Sequence, residues 1–132
     1  MFIKKSNRCT KICCIAKGFT QIYRIDFEET FSPVARFKTI RLLLALTVLK
    51  DWDIEALDIK TTFLFGDLDK DIYMMETEGY VQKGKETKVY RLIKAIYGLK
   101  QAALQWNKAL YKSVLEIGFT RTYSDLGVYV YF

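Results

Sequence analysis

Apolar positions recur along this chain in two rhythms, and the switches between them mark the predicted elements. Residues 39–50, TIRLLLALTVLK, are apolar around most of a helical circumference, with Thr39 available near the start. That distribution predicts a well-buried helix. Residues 101–117 carry Ala103, Trp106, Leu110, Val114 and Ile117 at three- to four-residue steps, one apolar stripe, with Lys108 and Lys112 sharing the solvated side. Gly118, permissive of a left-handed backbone, should end this second helix.

Elsewhere the period falls to two. Residues 11–23 (KICCIAKGFTQIY) predict a strand punctuated by Gly18, residues 72–76 (IYMME) another, and 88–93 one with Val89, Arg91 and Ile93 opposite Tyr90 and Leu92. Residues 52–59 predict a strand with Trp52, Ile54, Ala56 and Asp58 on a single parity. Between these lie an irregular stretch at 24–37, a polar turn at 67–71 and an exposed loop at 79–87 holding Gly79 and Gly84. The closing GVYVYF is strongly β-prone and stops at Phe132 with no evident edge protection, as a cut chain would. Strands mixed with two substantial helices predict an α+β fold with an antiparallel sheet and packed helices.

A chain of 132 residues forms one domain or part of one, and 51% hydrophobic content suffices for a core. Pro33 is the single proline, and no linker, repeat or low-complexity tract divides residues 1–132. The net charge of +6 is unevenly placed. Lys4, Lys5, Arg8, Lys11, Lys17 and Arg24 fall in the first 24 residues with no acid, and the remainder balances. Within that remainder the signs segregate: residues 51–78 are acidic apart from Lys60 and Lys70, and 83–112 are basic apart from Glu86. An acidic centre flanked by bases suits a site that holds cations while its surroundings grip a polyanion, although a solvated surface gives the same runs.

Cys9, Cys13 and Cys14 fit no zinc spacing and the chain has no histidine, so free thiols in a reducing compartment are expected. Ile12 to Ala16 is too short for a signal-peptide core and no run approaches a membrane span. The expectation is an intracellular protein of cytoplasm or nucleus, with no membrane partner.

Asp58 is the residue whose chemistry needs explaining, because a carboxylate closing an apolar row is costly unless paired, hydrogen-bonded or holding a cation. Two readings stand on the residues alone: a cap for the turn near Thr61, or a metal ligand for nucleotidyl transfer.

Five phrases then carry a resemblance: AKGFTQ (16–21), DFEETFSPVARF (26–37), LDIKTTFLFGDL (57–68), AIYGLKQA (95–102) and GFTRTYSDLGVYVY (118–131). In that order they resemble reverse transcriptases of copia-type LTR retrotransposons, which are encoded in Pol polyproteins. The resemblance implies the fingers and palm of a right-hand polymerase that copies RNA or DNA with two divalent cations, Mg²⁺ or Mn²⁺. It implies RNA or DNA template–primer and deoxynucleoside triphosphates as partners. Asp58 matches the first catalytic aspartate, and Ile59 would lend its backbone carbonyl to the same metal. Phe63 matches the aromatic that excludes a ribose 2′-hydroxyl, Gln101 a glutamine of the nucleotide pocket, and Lys17 a basic fingers position near triphosphate or template. Among the bases of 83–112, Lys94 and Lys100 are the candidates for nucleic-acid contact.

The departures set the expectation for activity. The family's Tyr-X-Asp-Asp hairpin is not reached before Phe132, and no Asp-Asp pair occurs in the sequence. Cys13 and Leu104 stand where arginines usually do, Ala103 and Leu126 replace prolines, and Phe65 replaces an asparagine. Lost arginines matter where phosphate is bound bidentately. The expected product is a truncated fingers–palm piece of a degenerate element, inactive by itself. The alternatives are a non-catalytic nucleic-acid-binding module and a product without a role.

Overall fold

The computed structural model describes residues 2–6, 9–76, 79, 81, 83–84 and 87–132, with side chains from residue 14 onward. The elements run β1 (Phe2–Ser6), β2 (Cys9–Cys13), α1 (Phe37–Lys50), β3 (Asp67–Met75), β4 (Val89–Lys94), α2 (Ala102–Glu116), β5 (Thr120–Arg121) and β6 (Tyr129–Val130). Short 3₁₀ turns occupy Gly18–Thr20 and Thr62–Phe65. This is an α+β chain, but not one built on a single sheet: the strands form three separate antiparallel pairs, β1–β2, β3–β4 and β5–β6.

β3 corrects the polar turn expected at 67–71. Asp67, Asp69 and Asp71 alternate with Leu68, Lys70 and Ile72, and burial alternates with them, so the stretch is the first half of a half-buried strand. Ile72 pairs with Leu92 across to β4, and a bulge separates that register from the Asp67–Lys94 pair. The core is small. Ile72, Ala95, Leu99 and Ala102 are buried, with Ala16, Phe63, Leu68, Leu92 and Ile96 packed around them. α2 lays its first turns on this nucleus, burying Ala102 and Gln105, so its buried stripe sits one position away from the expected Ala103–Trp106 line. Gly118 does end α2, at φ +103°, and the Phe119 N–H closes back on the Val114 carbonyl.

Two contacts between backbones weld the N-terminal segment to this nucleus. A Cβ on Gly18 would lie 1.9 Å from the Gly98 carbonyl oxygen, and the Ala16 N–H donates to the Tyr97 carbonyl at 2.8 Å. The expected strand over 11–23 therefore stops at Cys13, because Ala16 bonds to the Tyr97 loop rather than to a ladder and Gly18–Thr20 close a 3₁₀ turn.

α1 and the residues after it depart furthest from expectation. α1 begins at Phe37 but buries no residue. Phe37, Leu42, Val48 and Leu49 are all more than half exposed. An apolar circumference without a second wall has nothing to be buried against. The expected strand over 52–59 is extended chain without a ladder partner, and Trp52, Ile54 and Asp58 are exposed. The accessible surface, 11270 Å², exceeds the roughly 7,200 Å² of a compact monomer of this mass. In the loop expected at 79–87, residues 79, 81, 83–84 and 87 are exposed and the others lie outside the described residues, as do the side chains of Cys9 and Cys13; Cys14 is a free, exposed thiol.

Candidate functional site

The polar groups converge at the start of α2. Gln101, only 5% exposed, occupies the helix N-cap position without capping its own helix. Its Nε2 donates to the Asp26 carbonyl at 3.0 Å, and its Oε1 accepts from Gln21 Nε2 at 2.9 Å. Gln21 Oε1 in turn accepts the Lys100 N–H at 2.8 Å, so a residue about eighty positions upstream satisfies a donor at the α2 entrance. Lys100 Nζ donates to the Gln21 carbonyl and sits 4.7 Å from the Phe27 ring centre. The Asp26 carbonyl is held in place by a turn in which Asp26 accepts the Ile22 N–H at 2.7 Å and Arg24 takes φ +68°.

One helical turn on, Gln105 is also buried and donates to Asp69 at 2.7 Å, and Lys108 Nζ joins the same oxygen at 2.8 Å. The Lys108 ammonium, seconded by Gln105, holds the Asp69 carboxyl below the usual carboxylate range. Lys70 spans the other wall, bonding Glu28 and the Arg24 carbonyl. Together these groups line a cavity of about 240 Å³. A second cavity, about 680 Å³, is lined by Cys14, Lys17, Gln21, Met75 and Glu76 among others.

The predicted site residues are thus distributed. Gln101 lines the smaller cavity and Lys17 the larger, and Gln21, which also lines the larger, is hydrogen-bonded to Gln101. Phe63 is half-buried against the core, edge-on to Tyr97 at 4.6 Å between ring centres. Lys94 pairs with Asp67 at 2.5 Å. Asp58 and Ile59 lie on the exposed stretch before Phe63, and Asp58 has no hydrogen bond or ion pair among the described residues. The structure packs Phe63 on the core and buries Gln101 beside it, while Lys17 is exposed at the larger cavity and Asp58 lies outside this region.

Charge segregation along the sequence proves to be folded back on itself. Asp67, Asp69 and Asp71 of β3 meet Lys94, Lys108 and Arg91 of the basic stretch. All three pairs are exposed and screened by solvent, so each adds little to stability. Sequence reasoning missed Gln21, Gln105 and Asp125. Gln21 and Asp125 lie within the recognisable phrases, but their bonds span some eighty to ninety residues and no local pattern announces them.

A profile of the family described as "Reverse transcriptase (RNA-dependent DNA polymerase)" matches residues 2–132. The chain belongs to the reverse transcriptase family. It is 42% identical over 131 residues to the Retrovirus-related Pol polyprotein from transposon TNT 1-94 of Nicotiana tabacum, covering 96% of this chain and 10% of that protein. It is 40% and 41% identical over 116 residues to the polyproteins of the same description from transposons RE1 and RE2 of Arabidopsis thaliana, covering 88% of this chain and 8% of each relative. This reverse transcriptase chain therefore spans about a tenth of the length of the relatives it matches. The copia-type resemblance read from the motifs holds over the same span. No solved structure matches it. No helix among the described residues is long and apolar enough to cross a membrane.

Proposed function

We propose that this reverse transcriptase chain is the fingers and first part of the palm of a retrotransposon polymerase that extends a primer on an RNA or DNA template within a Pol polyprotein. The supporting observation is the family match across residues 2–132, which takes in Asp58, Phe63 and Gln101 together. In this reading Asp58 and the Ile59 carbonyl are ligands to a Mg²⁺ or Mn²⁺ ion, whose chemistry would be to activate a primer hydroxyl and neutralise phosphate charge.

The donors at hand do not amount to a two-cation centre. Among the described residues no group of three or more Cys, Asp or Glu side chains converges, and one carboxylate cannot hold two hydrated divalent ions. The remaining ligands must come from beyond the described residues. What this chain supplies is a rigid wall. Phe63 is fixed against Tyr97 and the core, at a position suited to reading the sugar of a bound nucleotide. The Gln101 amide has spent one donor and one acceptor on the protein and keeps one of each for a ligand. Lys17 faces the neighbouring cavity, where triphosphate or template would lie. Lys94 and Lys100 contact the nucleic-acid backbone, a phosphate taking the place of Asp67 at Lys94; the exposed pair is weak enough to yield.

Primer extension with Mg²⁺ or Mn²⁺ tests this. The 132-residue chain is expected to incorporate nothing, and incorporation abolished by Asp58→Ala would overturn that expectation. In a longer chain that brings the missing carboxylates, Asp58→Ala should abolish synthesis. Activity retained there removes Asp58 from the metal site.

A further inference from the structure

α1 is held to the rest of the protein at one end, by a residue almost ninety positions away. Its N-cap residue, Arg36, contributes no side-chain cap, and no residue from 37 to 61 is buried. Asp125 holds the entrance instead, through the N–H of the N-cap residue itself. This carboxylate is 5% exposed and lies in the turn between β5 and β6. Its Oδ2 accepts the Arg36 N–H at 2.9 Å and its Oδ1 accepts the Gly127 N–H at 3.0 Å, with the Thr39 hydroxyl of the first helical turn alongside. Backbone seals the same joint. A Cβ on Gly127 would lie 2.3 Å from the Ala35 nitrogen, so only glycine lets the two segments meet. The turn is braced from behind by the Val128 N–H and the Thr122 hydroxyl, both donating to the Asp125 carbonyl.

We propose that Asp125 is an acid-labile latch. Its carboxylate fixes the start of α1 on the C-terminal hairpin, and its loss frees residues 37–61 as one arm while the core around Ile72 stays folded. The groups facing it are the Thr39 hydroxyl and the Arg36 guanidinium from α1, and the Gly127 N–H from its own turn. Arg121 of β5 is turned elsewhere, donating to the Leu126 carbonyl and lying over the Tyr111 and Tyr129 rings. The Thr39 hydroxyl, then the Arg36 and Gly127 N–H groups, hold the Asp125 carboxyl below the usual carboxylate range. The latch is therefore closed above that range and opens as pH falls through the depressed value.

Amide hydrogen exchange on the 132-residue chain tests this apart from any polymerase activity. Asp125→Ala should speed exchange of residues 37–50 roughly tenfold while leaving residues 102–116 unchanged, since a buried hydrogen bond to a charged group carries about that factor. In a pH series corrected for intrinsic exchange, wild-type protection of 37–50 should fall in acid, and Asp125→Asn should flatten that response. Unchanged protection of 37–50 in Asp125→Ala overturns the proposal. If that variant loses protection throughout, Thr39→Val decides: faster exchange confined to 37–50 supports the latch, and wild-type protection there refutes it.

Discussion

α1 and α2 are of nearly equal length, and α1 is the more apolar of the two, yet α2 alone reaches the core. The difference lies in what each meets. α2 meets a wall already formed by β3 and β4, with Gly66 admitting its Gln105 backbone at close range and Gly98 at φ +92° setting its approach. α1 meets only the carboxylate at its start and runs on into exposed chain. Apolar content is a driving force without an address; burial needs a complementary surface on the same polypeptide or on another. The residues that bear Gln101 and Phe63 belong to the region that has such a surface. Asp58 belongs to the region that lacks one.

The largest effect expected from this contrast is in the core. Ile72→Ala removes a buried side chain from a four-residue nucleus and should cost roughly 2–4 kcal/mol, whereas Leu49→Ala on the exposed face of α1 should cost less than about 0.5 kcal/mol. Urea unfolding of both variants measures this, and equal costs would mean that α1 is packed after all.

A smaller effect sharpens the description of the α2 wall. The Asp69 carboxyl, held low by Lys108 and Gln105, stabilises the fold above the ordinary carboxylate range and stops doing so as pH falls through its depressed value. Lys108→Ala should weaken that acid-dependent step in stability. Because the pair is exposed, the change should stay below about 1 kcal/mol and shrink in salt. An unaltered stability–pH profile in Lys108→Ala would show that the wall does not depend on this pair.

The smallest effect concerns the charges on the β3–β4 face. Lys94→Ala should shift stability by less than about 0.5 kcal/mol, since its partner Asp67 is itself exposed. If Lys94 gives up Asp67 for a phosphate, the same substitution lowers the slope of log affinity for primer–template against log salt by about 0.9. A slope identical to wild type would leave Lys94 a structural residue only.

Much of this was legible in the chain. α2 ends where Gly118 allows it to, β4 lies one residue from where alternation placed it, and the five phrases lead to the family over nearly the same residues that its profile matches. The alternation of Asp67, Asp69 and Asp71 with inward residues was present too, hidden because three acids in five positions imitate a turn. What could not be read were the long-range bonds. Gln21 and Asp125 satisfy donors at the starts of α2 and α1, which their own N-cap residues do not, and nothing within a helix's own window identifies a cap so far away.

Sequence alone determined the family, the α+β class and the stop at Gly118, because these reside in local patterns and in motif order. Only the tertiary structure decided that the acidic and basic blocks neutralise one another across β3, and that Gln21 bonds the entrance of α2. It also decided that α1 and Asp58 stand away from the core. Each of those facts depends on which surfaces meet, and a one-dimensional pattern says how strongly a residue seeks cover but not whether cover is there.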